Sequence, residues 1–510
     1  MPKIKWFMDS IQIKYDSAAA RAKWNVPKMS RVFHFSIHTL LLLLLSMLSP
    51  SLSAQPADSA RLFSQEEFFR WILAYHPVAK QARLLDSEAE ALARLARGGF
   101  DPKAYADWDQ KSFEKKAYYS IGEGGFKIPT WYGAELKAAY AITDGIYLNP
   151  ERNLPEAGQA VLGLKVPLGR GLVIDERRAA LQQARLMAQA NEAERRAMLN
   201  ELLLEAATAY WEWARAYNEL LVEQQALALT EQRYGAIVES FRQGDKPAID
   251  TLETLIQVQN RQLALNDATV GYRNTGLYLS NFLWYEGEAP VEATARLRPP
   301  VLEELQPELP ALRPEAIWRS ASLSHPEIRR YEAKLSQLEV SRKLAAEQLK
   351  PRLDVEYNFL SDGGDFLYNS GEGSGFNNLV AQNYKWGLSF DFPLLLRKER
   401  GKLQLAKLKI QDAEYGLQQK RVEIANKIGA YYNELENLLR QIRLTEDNVG
   451  NYQALLNAEI QKFGLGESSI FLINSREQKL VDAQLKLAAL RGKFFKSRIG
   501  LEWAAGQLGE

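Results

Sequence analysis

The chain has 510 residues, with 64 Lys and Arg against 63 Asp and Glu. Such balance lacks the basic surplus a nucleic-acid binder needs, so no nucleic-acid partner is expected. Cysteine is absent and histidine numbers four, which excludes disulfides, thiol nucleophiles, an acylated N-terminal cysteine and the usual zinc sites. No catalytic residue, cofactor or metal is expected, and the chain does not read as an enzyme.

The first feature along the chain is a leucine run, Leu40 to Leu45, inside an apolar stretch from Phe33 to Leu48. Lys28 and Arg31 precede it, and Pro50 with the run Ser51 to Ala54 follows. A basic start, a short apolar core and a small-residue exit make a secretory signal peptide, since this run is short for a membrane span. Residues 1–54 are expected to be removed. The remainder holds 57 basic against 61 acidic residues and keeps only His76 and His325.

Two copies of one unit follow, expected at 55–312 and 313–510. The stretch around His76-Pro77 matches that around His325-Pro326, and the spacing holds to Pro102 and Pro351. Lys165–Gly171 (KVPLGRG) pairs with Asp391–Arg397 (DFPLLLR), Ala209–Trp213 (AYWEW) with Ala430–Glu434 (AYYNE), and Phe241–Gly244 (FRQG) with Phe463–Gly466 (FGLG). Four anchors in one order indicate a tandem duplication.

Each copy opens with a helix, predicted over 64–98 and 313–348. His76 and His325 sit before proline, where helical geometry is disfavoured, so each should break its helix in two. A strand, a loop and a second strand come next. In 352–359, Leu353, Val355, Tyr357 and Phe359 alternate with Arg352, Asp354, Glu356 and Asn358. In 384–392, Tyr384, Trp386, Leu388, Phe390 and Phe392 alternate with Lys385, Gly387, Ser389 and Asp391. Period two gives each strand one apolar and one polar face. Leu162, Leu164 and Val166 repeat the pattern in the first copy, and 110–157 contains a further strand-like run from Trp131 to Ala141. The loop 361–383 carries DGGD and GEGSG and reads as solvated chain.

Long helices are predicted over 170–241 and 397–463, each roughly 100 Å at 1.5 Å per residue. Leu199, Leu203, Ala206, Tyr210, Trp213, Tyr217 and Leu220 recur in steps of four and three, as do Ile424, Ile428, Tyr431, Leu435, Leu438 and Ile442. That is a coiled-coil seam, and Tyr210, Trp211 and Trp213 read as packing residues. A tight glycine turn and a last helix (247–286; 468–506) close each copy. Asp245 is expected to cap the first of these helices and the Glu467-Ser468-Ser469 segment the second.

This order of elements, duplicated behind a signal peptide and with paired F-x-x-G turns, resembles the TolC family of outer-membrane channels. The resemblance implies an α+β membrane protein with a tandem-repeat fold. A long α-helical coiled-coil tunnel would cross the periplasm, and four strands per chain would enter a trimeric twelve-stranded β-barrel. It implies a passive outer-membrane exit duct of a tripartite efflux pump or type I secretion system, carrying drugs, metals or secreted polypeptides. Implied partners are two further copies (a homotrimer), a periplasmic adaptor (membrane fusion) protein, an inner-membrane transporter and outer-membrane lipid. The tips, 241–250 and 463–472, become the adaptor-docking and constriction candidates: Phe241, Gly244, Asp245, Asp250, Phe463, Gly466, Glu467 and Leu472. The family's charged second-repeat constriction is not reproduced, because Leu472, Ser468 and Ser475 stand at its places. Asp250 reads either as a carboxylate favoured in a helix's first turn or as one member of a three-carboxylate ring.

A physical argument stands beside the resemblance. Strands of one chain leave two open edges that lipid cannot satisfy, so a barrel reading requires several copies. The rival is a periplasmic coiled-coil scaffold or adaptor that forms no pore.

Overall fold

The computed structural model describes residues 61–285, 289–290, 297–362 and 383–508. The expected signal peptide and almost all of the 361–383 loop lie outside them.

Eight helices are described: α1 (Gln65–Tyr75), α2 (Pro77–Gly98), α3 (Glu176–Arg242), α4 (Ala248–Ser280), α5 (Pro314–Ser324), α6 (Pro326–Glu347), α7 (Arg397–Gly464) and α8 (Ile470–Ala504). The opening helix of each copy is broken at histidine, as the His-Pro pairs predict. His76 closes α1 in an extended conformation (ψ 137°), Pro77 takes the first position of α2, and His76 Nδ1 accepts a bond from the Val78 N–H at 3.2 Å. His325, Pro326 and Glu327 repeat this arrangement at 3.2 Å. The imidazole stands where Ser or Asp usually caps, and it works only while Nδ1 is unprotonated.

The continuous α3 and α7 hold 67 and 68 residues. Along α3 pack α2, α4, α6 and α8, and along α7 pack α6 and α8. The heptad positions face inward: Leu203, Ala206, Tyr210 and Trp213 on α3, and Ile428, Leu435 and Ile442 on α7, are at most 1% exposed. Phe68, Ile72, Leu279, Leu302, Ile328 and Phe494 fill the space between them. Tyr210 meets its polar requirement by donating to the Phe63 carbonyl at 2.7 Å, while Trp211 donates to Gln65 Oε1 at 2.8 Å. The segment leading into the second copy is pinned by Asn218, which donates to the Pro300 carbonyl at 3.2 Å and accepts from the Leu302 N–H at 2.9 Å. Arg491 adds a bond to the Leu302 carbonyl at 3.1 Å.

One sheet of six strands occupies the opposite end of the long helices from the glycine turns: β1 (Lys103–Phe113), β2 (Lys116–Pro129), β3 (Glu135–Asp144), β4 (Gln159–Pro167), β5 (Arg352–Asp362) and β6 (Tyr384–Asp391). Its order is β6-β5-β4-β3-β2-β1, antiparallel throughout. Both copies enter the sheet directly after the matched prolines, Pro102 and Pro351. The four strands expected per chain therefore become six, because the 110–157 segment is folded into the sheet. A tight turn at Glu114 and Lys115, both at positive φ, joins β1 to β2, and of the strand-like run from Trp131 to Ala141 the part from Glu135 lies in β3 while its first four residues form the turn into it.

Burial, with Lys427 and Lys420 nearby, pushes the His325 imidazole down to about 4. An unfolded chain binds this proton near pH 6.5 and the folded chain does not, so stability is complete above that pH and falls between 6.5 and 4. The loss should reach roughly 3 kcal/mol in denaturant titrations at stepped pH. His325→Asn keeps a capping acceptor and should flatten that interval; an unchanged slope would contradict the neutral cap.

Candidate functional site

Strand register assigns the side chains of the sheet to two faces. One ladder row runs Phe126, Ala138, Leu162, Phe359, Tyr384, and the next on that face runs Ile128, Leu136, Leu164, Tyr357, Trp386. The other face carries the row Lys103, Lys127, Lys137, Gly163, Asn358, Lys385. The apolar face is continuous from β6 to β1, where Ala104, Ala106 and Trp108 extend it. It is also uncovered: Trp108 is 62% exposed, Phe126 56%, Trp386 63% and Phe390 67%. A water-facing sheet buries such a face against a core, whereas a barrel wall turns it to hydrocarbon.

The polar face is internally paired. Lys137 meets Glu123 at 2.6 Å, Lys165 meets Asp354 at 3.5 Å, and Arg352 meets Asp354 at 2.8 Å. Asn358 donates to Glu356 at 3.1 Å. It fits because residue 163 is glycine, where a Cβ would collide with Asn358 Oδ1. Where sheet meets helices, a cavity of about 460 Å³ is lined by Glu135, Lys165, Arg170, Arg177, Glu347 and Asp354, among others. Glu347, 5% exposed, accepts there from the N–H groups of Gly171 and Val173 and pairs with Lys350 at 2.8 Å. This face could line an aqueous path with mixed charge.

The far end of the helices is built by two matched stops. After α3, Gly244 at φ +80° lets its own N–H reach the Phe241 carbonyl at 3.0 Å, while the Asp245 N–H reaches Ser240 at 2.9 Å. After α7, Gly466 at φ +79° repeats this with Phe463 at 3.1 Å, and Glu467 reaches Lys462 at 2.9 Å. These are paired Schellman stops, and the left-handed residue explains the glycine of F-x-x-G. Lys246 Nζ lies 3.9 Å from the Phe463 ring centroid, so the two turns touch.

The expected tip residues divide. Phe241, Gly244, Asp245, Phe463, Gly466 and Glu467 gather at this end. Asp250 lies in the first turn of α4, and Leu472 in the first turn of α8. The cap expected from Asp245 is corrected: Pro247 takes the N-cap position, with no side-chain cap bond. Asp245 is already engaged as the last residue of the Schellman stop, and proline's fixed φ starts the helix two residues later. The Ser469 cap is present, accepting from the Leu472 N–H at 3.4 Å. Ser468 instead donates to Glu459 at 2.6 Å; with Arg476, it holds that carboxyl below its ordinary range.

Sequence patterns missed the charged crosslinks just behind the tip. Arg233 of α3 forms two bonds to Glu477 of α8, at 2.5 and 2.8 Å, and a third to Asn474 at 3.1 Å. Arg261 of α4 stands 3.5 Å from Glu223 of α3 and donates to Gln478 of α8 at 3.0 Å. Glu223 Oε2 has the ion pair but no hydrogen bond, and burial pushes its carboxyl up against the opposing pull of Arg261. Together these groups lock α3, α4 and α8 to one another. Removing Glu477 as Glu477→Ala leaves the half-buried Arg233 with the neutral Asn474 in place of its carboxylate, which should cost about 3 kcal/mol in denaturant titrations. A loss under about 1 kcal/mol would contradict a structural lock.

Residues 318–507 match the family model described as outer membrane efflux protein. No curated protein matches the chain. Among solved structures, the chain is similar to the CmeC outer membrane channel of Campylobacter jejuni, at 12% identity and TM-score 0.59 over 95% of this chain and 94% of that one. It is also similar to the outer membrane protein VceC of Vibrio cholerae, at 16% identity and TM-score 0.59 over 87% and 96%. The open-state MtrE outer membrane channel of Neisseria gonorrhoeae matches at 16% identity and TM-score 0.58 over 87% and 89%. The matched family is one of channels rather than enzymes. Residues 318–507 match the outer membrane efflux protein family, and over most of its length the chain has the fold of solved outer-membrane channels.

Proposed function

We propose that this chain is the outer-membrane exit duct of a tripartite efflux pump or type I secretion system. In this reading three copies form a passive conduit, with the sheets in the outer membrane and the helices in the periplasm. The observation that carries it is the uncovered apolar face of the sheet. Among the described residues no helix is long and apolar enough to cross a membrane, so the sheet is the element left to meet lipid. A soluble scaffold would not hold Trp386, Phe390 and Trp108 out to water.

A second exposed pattern supports assembly through the helices. On α4, Ile249, Ile256, Leu263, Val270 and Leu277 recur every seven residues, all exposed in the single chain. A heptad stripe left open in one copy is a seam for the next. Energy and substrate choice would come from an inner-membrane transporter, reached through a periplasmic adaptor docked at 241–250 and 463–472. Phe241, Asp245 and Glu467 offer that adaptor an exposed, mixed surface around the two glycine turns. Asp250, at the start of α4, places three carboxylates around the exit in a trimer.

The protein extracted from outer membranes should have the mass of three chains and conduct in planar bilayers, with Asp250→Ala lowering cation selectivity. A soluble single chain without conductance would overturn the duct, and unchanged selectivity would remove Asp250 from the constriction.

A further inference from the structure

Among the described residues the two outer strands, β1 and β6, each have one unpaired edge. We propose that β1 pairs antiparallel with β6 of the neighbouring copy in one defined register, so that three copies close an eighteen-stranded barrel. This rests on the channel reading above and adds that all six strands belong to the membrane wall.

Three observations carry it. First, the sheet is sheared as a barrel segment must be. The ladder row through Lys103 of β1 reaches Lys385 of β6. From that row β1 extends only toward Phe113, whereas β6 continues the other way to Asp391. β2 and β3 end level with each other below β1, β4 ends lower, and β5 ends level with β6, so the rim descends in steps across the sheet. A drop of six residues over five strand spacings corresponds to a strand tilt of roughly 40°, inside the range of closed barrels. A hairpin folded away as a cap would not continue that slope through β1 and β2.

Second, the apolar face does not stop at β3. Phe126 and Ile128 of β2 and Trp108 of β1 carry it to the edge, and Trp108 is as exposed as Trp386 on β6. An even number of alternating strands also gives β1 and β6 opposite directions, which antiparallel closure requires.

Third, the charges on the two edges select a register. Keeping the faces in phase and the rim level at this junction, as it is where Pro129 pairs with Glu135 and Arg352 with Asp391, places Lys103 opposite the partner's Asp391 and Asp109 opposite the partner's Lys385. On the lipid face it sets Trp108 opposite the partner's Trp386. Sliding by two residues one way brings Lys111 against the partner's Lys385, and the other way Asp101 against the partner's Asp391. Like charges directly opposite are destabilising, whereas opposite charges and aromatic pairs favour the junction. Neither edge contains a proline to block pairing. Barrel diameter grows roughly linearly with strand number, so the opening in the membrane would be about one and a half times that of a twelve-stranded wall.

The chain contains no cysteine, so designed pairs report without background. In the proposed register Tyr105 lies opposite the partner's Ser389, and Ala106 opposite the partner's Leu388. Oxidising outer membranes that carry Tyr105→Cys with Ser389→Cys, or Ala106→Cys with Leu388→Cys, should give a reductant-sensitive band at three times the chain mass. Tyr105→Cys with Gly387→Cys, two residues off, should stay at single-chain mass. A detergent-extracted trimer in which neither in-register pair cross-links, or in which only the shifted pair does, overturns the junction and leaves the duct standing. Absence of any trimer overturns both.

Discussion

Within hydrocarbon no water is available to satisfy a peptide group, so every backbone N–H and C=O must find a partner in the protein. The architecture follows from that constraint. Among the described residues six antiparallel strands satisfy one another across five junctions and leave the outer edges of β1 and β6 unpaired. Alternation then sorts Trp386, Leu164 and Phe126 to one side and Lys385, Lys165 and Lys127 to the other. One sheet thereby provides both a lipid surface and a wet lining. The open edges make a single chain incomplete, and the exposed heptad stripe on α4 makes it incomplete a second time.

The helical part solves a different problem, which is to hold rods of about 100 Å straight and in register. Continuous seams on α3 and α7 bury Tyr210, Trp213, Leu435 and Ile442 without interruption. Breaks occur only where the shorter helices meet beside these rods. At each break a neutral histidine ring ends one helix and starts the next. Near the tip a smaller apolar cluster of Ile237, Leu456, Ile470, Ile473 and Leu480 is joined by the Arg233–Glu477 and Arg261–Glu223 crosslinks. The matched Schellman stops then reverse the chain within a few residues.

Sequence legibility followed the strength of local signals. Strands β5 and β6 were readable because Leu353 to Phe359 and Tyr384 to Phe390 alternate extreme apolar and polar residues. β1 and β2 were not, since Gly122 and Gly124 interrupt the apolar face and Asp107, Asp109 and Lys111 dominate the other. Their amphipathicity appears only when neighbours are set beside them. The histidine breaks and glycine stops were legible because proline and a left-handed residue impose them locally. Asp245 misled for the complementary reason: a good capping residue was already used in the preceding stop. Arg233 and Glu477 stand 244 positions apart, and no periodicity links them.

The account depends on the sheet's two faces meeting two different solvents. A nitroxide scan from Leu353 to Leu360, one cysteine at a time, measures collision with oxygen, which concentrates in lipid, and with a water-soluble nickel chelate. The account predicts oxygen maxima at 353, 355, 357 and 359 and nickel maxima at 354, 356 and 358. Nickel access to all positions alike would contradict a lipid-facing wall.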